Sequence, residues 1–168
     1  MLFFLIGITG VGKSTHGKKI ARRMNYSFID LDALIEMRNR MRIGEIFKYG
    51  EAVFRYAETK ALQSIDVNSN HIVATGGGIV EVEENIDYMK KHGTVVLLKR
   101  PLQEIYESIS FHYRPLLKDN PMLLWDIYEK RKPLYERAAD LVFEVETGFF
   151  DVDLIVEALR NIEREKQR

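Results

Sequence analysis

Residues 7–15, GITGVGKST, constrain this chain more than any other stretch. They follow the apolar run Leu2-Phe3-Phe4-Leu5-Ile6 and lead into a segment with helical periodicity, which puts them at a strand-to-helix turn. The spacing Gly7, four residues, Gly12, Lys13, Ser14 fits a P-loop, whose glycines let successive backbone N–H groups converge on phosphate oxygens. The helix that follows adds the partial positive charge of its N-terminus. Lys13 is then placed to reach the β and γ phosphates of a nucleotide, and the Ser14 hydroxyl to ligate Mg²⁺. A glycine-rich turn followed by a lysine through coincidence is the competing reading, and the flanking strand and helix count against it.

Composition narrows what the phosphate is moved to. Lysine plus arginine number 25 and aspartate plus glutamate 25, so no overall basic field favours nucleic acid, and a small-molecule partner is expected. The chain has no cysteine, which excludes disulfides, thiolate zinc sites and a cysteine nucleophile. Its 168 residues suit one domain. The apolar start is far shorter than the ~20 residues that span a bilayer and lacks the basic flank of a signal peptide. It reads as a buried strand of a cytoplasmic protein without membrane contact.

After the P-loop, Gly17, Ile20, Ala21 and Met24 fall at i, i+3, i+4 and i+7, the stripe of a helix packed on a sheet. Gly17 is a poor helix former, so its expected use is close approach to the strand beneath. Residues 26–30 read as a second strand ending in two carboxylates, Asp30 and Asp32. Helical stretches are predicted over 33–40, 43–47 and 51–65. On the last, Val53, Ala57, Ala61 and Ile65 form the expected buried row, and Arg55 faces a cleft or water. Residues 71–75 form a third apolar strand that runs into Gly76-Gly77-Gly78, where backbone must come close to something.

A helix over 82–91, a strand over 94–99 and a helix opened by Pro101 continue the alternation. Between Ser108 and Asn120 the apolar period breaks, which reads as a mobile surface loop. The next helix, over 121–138, contains Pro133 and is expected to kink there. A fifth strand over 141–145 and an amphipathic helix carrying Val152, Ile155, Val156, Leu159 and Ile162 close the chain. Such alternation predicts an α/β fold, a parallel sheet covered on both faces, with ligands at the carboxyl ends of its strands.

On that rim Asp30 and Asp32 can divide the labour of phosphoryl transfer. One orients Mg²⁺ through a water, and the other accepts the proton of an attacking hydroxyl. The competing use of Asp32 is as N-cap of the helix that starts at Ala33. Arg55 can simply pair with Glu58 at i, i+3, and Arg131 can be a solvated helix charge.

Taken together these residues resemble the shikimate kinase family. Its P-loop GxxGxGKST is matched by residues 7–15, its DxD pair by Asp30-Leu31-Asp32, and its GExxFRxxE segment by Gly50 to Glu58. A strand ending in three glycines, an RPLL segment at Arg114-Pro115-Leu116-Leu117 and an RxPLY segment at Arg131 to Tyr135 follow in the family's order. The resemblance implies one three-layer α/β/α P-loop kinase domain over 1–168, with sheet order 2-3-1-4-5, a substrate-binding region at about 31–62 and a mobile lid at about 108–120. It implies transfer of the γ-phosphoryl of ATP to the 3-hydroxyl of shikimate, and a monomer is expected.

By the same resemblance Gly10, Val11, Gly12, Lys13, Ser14 and Thr15 bind the nucleotide, and Ser14 and Asp30 hold Mg²⁺ directly or through water. Arg55 and Arg131 clamp the substrate carboxylate, a role that suits planar guanidinium forks. Asp32, Gly77 and Gly78 meet the ring hydroxyls, Asp32 is the candidate base, and Arg114 is the lid arginine that swings onto the ATP phosphates. Lys13, Asp32 and Arg114 are thus the expected catalytic residues.

Three features depart from the family's pattern. Arg40 and Arg42 stand where a glycine and a small polar residue are usual, and the link from Phe47 to Gly50 is one residue shorter. Glu107 occupies the position of an arginine that stacks on adenine, which leaves the base to groups around Thr147 and Gly148 or weakens its grip. The remaining alternatives are a P-loop kinase for another hydroxy acid such as gluconate, and a non-catalytic nucleotide-binding regulator.

Overall fold

In a computed structural model the protein is described over residues 1–110 and 116–166. A five-stranded parallel sheet has the order β2-β3-β1-β4-β5, as expected. Its strands are β1 (Leu2–Ile6), β2 (Ser27–Asp30), β3 (His71–Ala74), β4 (Gly93–Lys99) and β5 (Leu141–Glu144). The helices are α1 (Lys13–Met24), α2 (Leu31–Asn39), α3 (Ile43–Phe47), α4 (Glu51–Gln63), α5 (Glu83–His92), α6 (Leu102–Ser108), α7 (Leu123–Ala138) and α8 (Val152–Lys166).

The five apolar residues of β1 are all buried, which suits a central strand covered on both faces. Helix α1 lies against β1, β2 and β3 with α8 packed on it, while α5 and α7 contact β4. Gly17 does permit close approach: a Cβ there would stand 2.7 Å from Cε2 of Phe28 and 3.1 Å from Cδ1 of Leu5. The expected stripe Gly17, Ile20, Ala21 and Met24 is buried.

Parallel register lines up the carboxyl ends that matter. Leu5 of β1 pairs with Ala74 of β3, and Ala74 pairs with Asp30 of β2. The P-loop, the carboxylate pair and the glycine run therefore leave the sheet at one level.

Two local expectations are corrected. The buried row of α4 is Phe54, Ala57, Glu58, Ala61 and Leu62, whereas Val53 is 46% exposed. Ala57, Ala61 and Ile65 of the expected row are buried, but Phe54, stacked on Phe47 with ring centroids 4.4 Å apart, takes the inward position in place of Val53. The N-cap of α2 is Asp30 and not Asp32: the Asp30 Oδ1 accepts the Ala33 N–H at 3.3 Å and the helix begins at Leu31. Asp32 falls in the first turn, where the helix dipole favours a carboxylate. Helix α7 runs through Pro133 to Ala138.

Candidate active site

The loop after β1 has φ of 139° at Gly7, 83° at Gly10 and 106° at Gly12, the left-handed region in which glycine alone is unstrained. Gly12 also leaves room for the ring of His16, whose Nδ1 would lie 2.7 Å from a Cβ there. His16 is 3% exposed, donates from Nδ1 to the Gly12 carbonyl at 2.9 Å and meets the Phe150 ring edge-on. Burial lowers its pKa and keeps the ring neutral, with its proton on Nδ1 for that carbonyl. No motif marks His16 in the sequence; its position at i+4 from Gly12 is the only local signal for the bond.

Lys13 folds over the same loop, and its Nζ donates to the Gly7 and Ile8 carbonyls at 2.7 and 3.1 Å. Val11 is buried and Thr15 exposed in the first turn of α1. The Ser14 hydroxyl donates to Asp30 Oδ2 at 2.7 Å, so the two residues expected at the metal are in contact. Asp30 thus divides its carboxylate, one oxygen capping α2 and the other facing Ser14.

Thr9, Asp30, Asp32, Arg55, Gly77, Gly78 and Arg131 line one cleft of about 1090 Å³, ample for a small hydroxy acid. The three glycines are where side chains of this cleft come closest to backbone. A Cβ on Gly76 would sit 2.9 Å from Glu58 Oε1 and 3.1 Å from Asp32 Oδ1. On Gly77 it would lie 3.0 Å from the Thr9 N and 3.4 Å from Arg131 Nη1, and on Gly78 it would collide with the Arg55 guanidinium. The Tyr135 hydroxyl donates to the Gly77 carbonyl at 2.5 Å and ties α7 to the run.

Arg55 makes the expected helix pair and also lines the cleft. It pairs with Glu58 at 2.9 Å and Glu51 at 3.0 Å along its own helix, and its side chain is only 12% exposed against the cleft. Its third partner, Glu81 at 3.0 Å, also takes Nε of the buried Arg131 at 3.0 Å. Burial by itself would raise the Glu81 pKa, but the Arg131 hydrogen bond and charge, with Arg55 and Lys130, outweigh it and hold the carboxyl below its usual value.

Glu58 goes the other way. Its burial is stronger than the pull of Arg55, Asp32 repels it, and its pKa is raised to about 7. The folded chain therefore holds this proton more tightly than the unfolded chain. The stabilisation is full below the ordinary pKa of 4.5 and is lost as pH rises through about 7. Thermal melts across that window should fall with pH more steeply in the wild type than in Glu58→Gln; parallel curves would show that Glu58 titrates normally.

The expected lid spans about 108–120. Its centre, residues 111–115 with Arg114, lies outside the described residues, whereas Leu117 beyond it is buried. Arg42 lines the cleft and pairs with Glu36 at 3.0 Å. Glu107 is exposed and accepts from Gln103 at 2.7 Å.

A phosphate loop after the first strand of a parallel 2-3-1-4-5 sheet, with a second cleft-facing set of charges beside it, defines a P-loop kinase. The shikimate kinase family model matches residues 9–160, and the chain belongs to that family. It is 35% identical to a shikimate kinase of Clostridium botulinum (strain Alaska E43 / Type E3), over 95% of this chain and 94% of that protein. The solved structure of shikimate kinase from Acinetobacter baumannii in complex with shikimate superimposes with a TM-score of 0.86 at 30% identity, covering 98% of this chain and 93% of that one. That of shikimate kinase from Bacteroides thetaiotaomicron gives 0.84 at 32% identity, covering 98% of each.

Proposed function

We propose that this cleft transfers the γ-phosphoryl group of ATP to the 3-hydroxyl of shikimate, giving shikimate 3-phosphate and ADP for aromatic amino-acid biosynthesis. The observation that carries this reading is the pair of guanidinia, Arg55 and Arg131, in the same cleft as Asp32 and the P-loop residue Thr9. A buried arginine and a half-buried one suit one planar carboxylate, and the acid beside them suits a hydroxyl proton.

The acceptor oxygen forms its bond to the γ phosphorus as the bond to the β–γ bridging oxygen breaks, and ADP leaves with that electron pair. The hydroxyl proton passes to Asp32. Lys13 moves from the loop carbonyls to the phosphates, and the Gly10 to Thr15 backbone cradles them. Ser14 and Asp30 are the residues that would hold Mg²⁺; their contact at 2.7 Å offers the hard oxygen donors it prefers. When bound, the ion neutralises charge on the phosphates. Backbone of Gly77 and Gly78 orients the acceptor ring, and Arg114 supplies positive charge to the transferring group.

The unit is proposed to be one domain over 1–168, with substrate held by about 31–62 and a lid at about 108–120, acting as a cytoplasmic monomer. Zero net charge supports a small-molecule partner over nucleic acid. Among the described residues no helix is long and apolar enough to cross a membrane.

A coupled ADP-release assay with shikimate, with gluconate and without acceptor tests the reading. Release should depend on shikimate. Stimulation by gluconate alone would reassign the acceptor, and equal release without acceptor would make the chain an ATPase or a nucleotide-binding regulator.

A further inference from the structure

Two cations destined for one carboxylate repel each other until it arrives, so something must hold them in place beforehand. Glu81 spans them. Its Oε2 accepts from Arg55 Nη2 and its Oε1 from Arg131 Nε, both at 3.0 Å, with the largely exposed Lys130 Nζ at 3.4 Å. The acid ends a single 3₁₀ turn, Ile79–Glu81, anchored by the buried Ile79 and Val80, and its own N–H donates to the Gly78 carbonyl at 3.0 Å. The anion is therefore tied to the glycine run that the cleft uses.

Arg55 and Arg131 line the cleft, whereas Glu81, which bridges them, is not among its lining residues. It engages Arg131 through Nε, which turns Nη1 towards Gly77, where a Cβ would lie 3.4 Å away. A carboxylate lodged between the guanidinia as a competitor would occupy the cleft itself.

We propose that Glu81 is a positioning residue of the acceptor site, fixing the separation of the Arg55 and Arg131 guanidinia so that their cleft-facing edges receive the substrate carboxylate. This rests on the reading of those two arginines as the carboxylate clamp. The dependence is unequal. Glu51 and Glu58 hold Arg55 along its own helix, whereas among the described residues Arg131 pairs with Glu81 and otherwise meets the neutral Tyr135 hydroxyl, so the effect of Glu81 passes mainly through Arg131.

Steady-state kinetics of the wild type, Glu81→Ala, Glu81→Asp, Arg131→Ala and the double variant Glu81→Ala/Arg131→Ala test this, with melting temperatures as a fold control. Glu81→Ala should raise the shikimate KM by roughly 10- to 100-fold, the scale on which misplaced binding groups act, and leave the ATP KM unchanged. Glu81→Asp should recover part of that loss. In the Arg131→Ala background the same substitution should add less than about twofold, since coupled residues are not additive. An unchanged shikimate KM, a parallel rise in the ATP KM, no recovery with aspartate or full additivity would each overturn the proposal. A lowered shikimate KM would overturn it too, by showing that Glu81 competes with the substrate. If Arg131→Ala itself leaves the shikimate KM unchanged, the clamp reading falls first, and this inference with it.

Discussion

Asp32→Asn is expected to lower kcat for shikimate phosphorylation by about 10²- to 10⁴-fold, the usual contribution of a positioned base, while ATP still binds. The substitution keeps the shape of the side chain in the first turn of α2 and its place on the cleft wall. What it removes is the carboxylate proposed to accept the hydroxyl proton as the bond to phosphorus forms. Nucleotide affinity measured by calorimetry should match the wild type. A second readout follows from the repulsion between Asp32 and Glu58, since removing the Asp32 charge should bring the Glu58 pKa down from about 7. Turnover within tenfold of the wild type would remove Asp32 from the role of base.

Arg131→Ala should cost about 3 kcal/mol in kcat/KM for shikimate, on the order of 100-fold, with the ATP KM unchanged. The residue is 4% exposed, so its charge acts in a site that water hardly screens. Arg131→Lys should not rescue it, because a lysine cannot offer Nε to Glu81 and a second donor edge to a substrate at once. An alanine variant with wild-type shikimate kinetics would exclude Arg131 from the clamp.

What the sequence makes legible is what local chemistry encodes. The strand, the glycine spacing and the helical stripe at residues 2–24 each follow from a pattern within a few residues, and the structure keeps all three. The Glu58 partner of Arg55 follows from i+3 spacing. Local patterns fall short where two of them compete. Val53 and Phe54 are both apolar, and only the Phe47 ring decides which of them turns inward. Asp30 and Asp32 are both good caps, and the end of the β2 pairing decides in favour of Asp30. Glu81 was beyond such reasoning, because its arginines lie 26 and 50 residues away and no spacing rule connects them. Arg114 and the rest of residues 111–115 lie outside the described residues, so the lid stands on the resemblance.

The hydroxyl of Tyr135 on the Gly77 carbonyl has a consequence for how this chain can vary in length. Tyr135 follows Arg131 by four residues on α7, so both side chains project from one stripe of the helix, and both are buried against the glycine run and its 3₁₀ turn. Adding or removing one residue between them would rotate one side chain by about 100° relative to the other, so the two contacts could not both be kept. Added residues ahead of Leu123, where the chain is not yet helical, would leave that stripe in register. Indels should therefore be tolerated before α7 and rejected within its second half, a phase constraint set by one phenol and one arginine.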